Sequence, residues 1–139
     1  AKTTLAGLFA VALAGAAQAQ DAYPDLKGTW IGQGSAIVLG APKHHDKGAA
    51  KTPRLSDQKF TFKITDQKDG RFWGTMESPK GKDLMVGILA PDKKRVLLAS
   101  EEGTAEGRLM DANTFEWCYD HHTKDSIVVA CNTVRRQAN

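Results

Sequence analysis

Four histidines stand in two adjacent pairs, His44-His45 and His121-His122, with Asp46 beside the first and Asp120 and Asp125 around the second. Imidazole with carboxylate is a donor set for a divalent metal, and two loops that meet could bring the four rings together. Neighbours in an extended chain point to opposite sides, so neither pair chelates alone, and no HxxxH spacing is present. Solvated loop histidines are the plainer reading, and metal binding through the pairs stands as a secondary alternative. No cofactor is expected. Cys118 and Cys131 lack CxxC spacing and offer no dithiol redox centre. There is no Gly-x-Ser-x-Gly, and no Gly cluster leads into a helix that could hold a phosphate. Glu101-Glu102 falls at a hairpin corner. The expectation is a chain that is not an enzyme.

The elements around these residues begin after a leader. Residues 1–20 place Lys2 before an apolar run from Leu5 to Ala14, followed by Ala17-Gln18-Ala19. That layout reads as a signal peptide cut near Gln20, with an apolar run too short to anchor in a bilayer. A single domain over 21–139 is expected in the periplasm or secreted, with no membrane anchor. The chain has 139 residues and a formal charge of +3 spread along its length, with no basic stripe to track nucleic acid.

Beyond the leader no apolar period of 3.6 is sustained. Short β-type runs recur at intervals of about ten residues, separated by turn clusters. They are Gly28–Leu39, Lys59–Thr65, Arg71–Glu77, Asp83–Leu89, Arg95–Ser100, Thr104–Met110, Thr114–Asp120 and Ser126–Arg135. Residues 40–57, with Pro42, Gly48 and Pro53, read as one long loop; every later connection is short enough for a hairpin. The fold class is therefore all-β. An eight-stranded antiparallel up-and-down barrel, which has no open edge, is the first choice, and a sandwich the second.

Export makes a Cys118–Cys131 disulfide the stronger reading, with two free buried thiols as the alternative. The pairing sets Trp117 opposite Asn132, Tyr119 opposite Ala130 and Phe115 opposite Val134, with both cysteines on the outer face. Closing a loop of about 14 residues would contribute on the order of 3 kcal/mol. At Lys68-Asp69-Gly70, a three-residue loop with Gly70 left-handed puts Ile64 opposite Gly74 and Phe62 opposite Met76, keeping one face apolar. Trp73 then points outward. Leu84 to Leu89 and Val96 to Ala99 are apolar on both faces, so a second cover is needed. A homo-oligomer with Met85, Leu89 and Leu97 near its seam supplies it; the 40–57 loop is the alternative cover.

Asp25-Leu26-Lys27-Gly28-Thr29-Trp30 opens the first strand, and Arg135-Arg136 closes the last. Gly-x-Trp before an eight-stranded meander that ends in Arg resembles the calycin superfamily of lipocalins, fatty-acid-binding proteins and avidins. The resemblance implies that Arg136, or else Arg135, stacks on Trp30 and shuts the barrel base. Gly28 to Ser35 and Gly74 to Ser78 are similar to avidin and streptavidin strands. Gly32 stands where that family carries an Asn that helps hold biotin, so the biotin site is not matched.

The leading expectation is a small, largely apolar ligand inside the barrel. Phe60, Phe62, Phe72, Met76, Trp117 and Tyr119 line it, with polar handles from Gln33, Ser35 and Asn132. The same side chains could instead fill the barrel. The alternative is an interaction module, such as an enzyme inhibitor, acting through the 40–57 loop and its Lys43, Lys47, Lys51 and Arg54.

Overall fold

The structure is a computed structural model that describes residues 22–49 and 51–138. The leader expected over 1–20 lies outside the described residues. Eight strands follow in chain order: β1 (Gly28–Gly40), β2 (Arg54–Lys68), β3 (Arg71–Ser78), β4 (Gly81–Leu89), β5 (Arg95–Ser100), β6 (Thr104–Asp111), β7 (Thr114–His122) and β8 (Ser126–Arg136). Each pairs antiparallel with the next, and β8 returns to β1 to close the barrel. Among the described residues no helix is long and apolar enough to cross a membrane.

Alternation decides which side chains enter. On β7 and β8 the pairs are Trp117 with Asn132, Tyr119 with Ala130 and Phe115 with Val134, and a Cys118–Cys131 disulfide lies between them on the outer face. Phe62 pairs with Met76 and Ile64 with Gly74. The route to that register differs from the sequence reading. Lys68 pairs with Arg71 across a two-residue turn, Asp69 rather than Gly70 takes the left-handed conformation (φ 56°), and a bulge at Thr65 restores the phase.

Three further expectations are corrected. The long loop is shorter, because Gly40 extends β1 and Arg54 to Asp57 belong to β2, where Val38 pairs with Arg54 and Ala36 with Ser56. Met85 and Leu89 point into the core, at 4% and 1% exposed, because inward positions of β4 run Asp83, Met85, Gly87, Leu89. The apolar outer face is instead Trp73, Leu84, Val86, Ile88 and Leu97, which stay exposed, so the described residues of the 41–53 loop do not cover it. Gln33 and Ser35 face outward, since burial of Trp30 commits the even positions of β1 to the interior.

The interior has two storeys. The lower is a continuous apolar cluster of Leu26, Trp30, Phe62, Phe72, Met85, Val96, Leu98 and neighbours. Its base is shut by residues 22–27, which cross beneath the strands. The Trp30 indole N–H donates to the Leu26 carbonyl at 2.9 Å, and the Arg136 guanidinium lies 4.4 Å from the Trp30 ring. Arg136 also donates to the carbonyls of Lys27 and Asp25, while Gln67 accepts from the Leu26 N–H and donates to the Pro24 carbonyl. A void of about 20 Å³ lies within that lower storey, lined by apolar side chains alone. The upper storey has small apolar walls on β1 and β8, namely Ala36, Val38, Val128 and Ala130.

Candidate functional site

Those small walls leave room for rings from elsewhere. In an antiparallel meander the end of β1, the end of β7 and the turns after β3 and β5 all lie at one end of the barrel, here called the mouth. Gly40 ends β1 with φ 73°, and a β-carbon there would overlap the Asp125 carbonyl. Glycine thus lets the chain leave the wall and fold residues 41–53 across the opening. The loop drops His44 and His45 into the mouth, and β7 contributes His121; all three are 5–6% exposed, whereas His122 is exposed. The solvated-histidine reading is therefore corrected for three of the four rings.

Each buried ring is held. The Nδ1 of His44 lies 2.8 Å from Ser78 Oγ and its Nε2 lies 2.9 Å from Asp83 Oδ2. At His45, Nδ1 faces Ser56 Oγ at 2.8 Å and accepts from Gln58 Nε2 at 3.2 Å. His121 joins Tyr119 OH (2.9 Å) to Ser126 Oγ (3.0 Å). Ser56 and Gln58 are half-buried, which explains why the start of β2 lacks apolar alternation: its inner face meets imidazoles.

Burial sets the protonation states. It lowers His45 to about 4, assisted by the charges of His44, Arg54 and His121. It lowers His121 as well, against the opposing pull of Glu102 and Asp120. Burial pushes the Tyr119 phenol well above its ordinary value, with Glu102 adding to the effect, so it stays protonated and can donate to a neutral His121. Asp83, with its side chain fully buried, behaves differently. Burial opposes its charge, but hydrogen bonds from Lys43 and His44 outweigh that and hold the carboxyl below the usual carboxylate value.

Beneath the rings lies a second void of about 20 Å³, bounded by His44, His45, His121, Glu102, Tyr119 and Trp117, with Phe60, Met76 and Asn132 around it. Trp117 Nε1 and both polar atoms of the Asn132 side chain are buried here without a hydrogen-bond partner. Gly34 makes the space, since a β-carbon there would overlap Asn132 Oδ1. A void of that size takes about one water molecule. Anything larger must displace part of this lining.

Of the side chains expected to line the barrel, Phe60, Met76, Trp117, Tyr119 and Asn132 meet at this void. Phe62 and Phe72 belong to the lower storey. Gln33 and Ser35 lie outside. The basic loop residues do not form one exposed group. Lys43 turns to Asp83 and Glu101, and Arg54 donates to the carbonyls of Gly40 and Asp46. Asp83 and Glu102 were missed as site residues. The available signal was topological, because both fall at the same barrel end as the two histidine pairs.

No protein-family model matches the chain, and no curated protein does. Among solved structures, an S-type phycobiliprotein lyase from Guillardia theta is similar over 82% of this chain and 89% of that one, at 9% identity and a TM-score of 0.35. That protein is named as a lyase, and the expectation that this chain is not an enzyme is withdrawn. The physical reason lies in the mouth: missing nucleophile motifs do not exclude proton transfer by buried imidazoles and carboxylates. At that identity and TM-score the likeness carries no reaction, substrate or residue role to this chain.

Proposed function

We propose that this chain is an exported, calycin-like barrel that binds a small polar molecule, or the polar head of a larger one, at its loop-covered mouth. The observation that carries the reading is Asn132, 6% exposed with neither Oδ1 nor Nδ2 paired, opposite Trp117, whose indole N–H is also unpaired. An unsatisfied buried polar group costs about 1–3 kcal/mol, so an apolar residue of the same size would serve the fold better. A donor beside a carboxamide fits a ligand with a carboxamide-like or carboxylate edge. A polar ligand replaces the largely apolar one expected from sequence, because the unpaired polar groups line the void at the mouth, whereas the void of the same size in the lower storey is lined by apolar side chains alone. Export is supported by the Cys118–Cys131 disulfide, and the calycin resemblance by the closed meander with Arg136 over Trp30.

The test is Asn132→Leu. Without ligand, the variant is more stable than the wild type by about 1–2 kcal/mol in urea unfolding, because the unpaired amide is gone. In native mass spectrometry it loses the small-molecule adduct that gently purified wild type carries. An adduct retained by Asn132→Leu, or a wild type that never carries one, defeats the proposal.

Self-association belongs to the same proposal. The outer groove of Trp73, Val86, Ile88 and Leu97 has Lys68 and Arg71 on one rim and Glu106 and Asp120 on the other, which a two-fold pairing would set opposite each other. Sedimentation is expected to show a dimer that Val86→Glu converts to monomer. A monomeric wild type would count against it.

A further inference from the structure

We propose that the mouth also contains a site for a divalent transition-metal ion, formed by His44, Asp83 and Glu102. It does not rest on the small-molecule reading above, since the metal is its own ligand.

These residues come from three separate elements: the 41–53 loop, the start of β4 and the turn between β5 and β6. One donor atom from each lies within 4.8 Å of the others, so a small side-chain shift would bring all three onto a single ion. The set is one imidazole nitrogen with two carboxylates, the mixture that suits zinc and its neighbours rather than a thiophilic or purely oxygen-seeking ion. The imidazole is already oriented. Ser78 Oγ holds Nδ1 and so turns Nε2 toward the carboxylates; on metal binding Nε2 gives up the proton it donates to Asp83, and Nδ1–H donates to Ser78 Oγ, the outer hydrogen bond that fixes a metal-binding histidine.

Two observations separate this from an ordinary ion-pair cluster. The Asp83 side chain is fully buried on an inward position of β4, where its neighbour Met85 packs in the core. A carboxylate so placed must have a cation. The other two residues, His44 and Glu102, line the void that holds the unpaired carboxamide of Asn132, so the mouth has polar groups left over after the fold has satisfied its own.

The cation now on Asp83 is the Lys43 ammonium, which reaches Oδ1 from a partly exposed position and also lies 3.6 Å from Glu101. Lys43 can therefore release Asp83 and remain paired with Glu101. It acts as an internal competitor for the metal, while Glu102 closes the site from the β5–β6 turn.

Zinc titration of the full exported chain by calorimetry tests this, with Co²⁺ absorption as a second readout. Wild type is expected to bind one equivalent of Zn²⁺ and to give Co²⁺ ligand-field bands. Glu102→Gln, at a half-buried turn position where folding is little affected, should weaken zinc binding at least about tenfold and abolish those bands. Lys43→Met should move the other way and tighten binding several-fold. The proposal is overturned if wild type shows no saturable zinc binding, or if Glu102→Gln binds as wild type does. It is also overturned if Lys43→Met weakens binding while circular dichroism shows the barrel intact.

Discussion

Replacing Trp30 by Ala should cost about 4 kcal/mol, within the usual range for removing a buried tryptophan. The indole is 2% exposed and does three things at once. It fills the base of the apolar storey, donates to the Leu26 carbonyl that holds residues 22–27 across the opening, and supports the Arg136 guanidinium 4.4 Å above it. Alanine leaves a cavity, an unpaired carbonyl and a guanidinium without its ring. Urea unfolding should show a lower midpoint with an unchanged slope. Trp30→Phe keeps a ring under Arg136 and should lose about half as much. A Trp30→Ala loss below about 1 kcal/mol would mean that the base is closed by something else.

Acid should weaken the protein from the opposite end. The folded state holds His45 near 4, whereas the unfolded chain titrates at the ordinary 6.5. Below 6.5 the unfolded chain takes a proton that the folded one refuses. The stability present above that pH is therefore lost as the pH falls toward 4, by about 3 kcal/mol for this one ring. His121 is also lowered by burial and adds to the loss in the same direction. Chelator in the buffer keeps metal binding out of the measurement. His45→Asn should flatten the slope between pH 6.5 and 4; an unchanged slope would place the acid sensitivity elsewhere.

The parts of the fold legible in sequence were those where apolar alternation or a covalent link fixed the phase. Phe60, Phe62 and Ile64 set the face of β2, and the cysteine spacing set β7 against β8. Arg54 to Gln58 escaped because their inner face meets a polar mouth, so the alternation that marks a strand is missing. Outward Leu84, Val86 and Ile88 made β4 read as two-sided, which misplaced Met85 and Leu89 at a seam. Gln33 and Ser35 were chosen for their polarity, although Trp30 had already assigned their parity to the outside.

The site was legible in composition and not in position. Both histidine pairs stood out at once, yet a local reading treats a ring in a polar loop as solvated. What buries His44 and His45 is the return of the loop across the barrel end, a non-local event with no apolar signature beyond Pro42, which is buried with them. Asp83 was hidden for a related reason. A lone acid soon after the Pro79-Lys80 turn looks like a surface residue, and only the phase of Met85 and Leu89 turns it inward.

The proposed function puts the ligand at the polar mouth of the barrel and not in the apolar storey. Its most direct test is a two-dimensional ¹⁵N and methyl NMR titration of the folded protein with a panel of small carboxamides and carboxylates. A binding compound is expected to shift the Trp117 indole N–H, the Asn132 amide pair and the His45 and His121 rings, leaving the signals of Val96, Leu98 and Leu109 in place. Shifts centred on those lower-storey methyls, or no shift at the mouth with any compound, would contradict it.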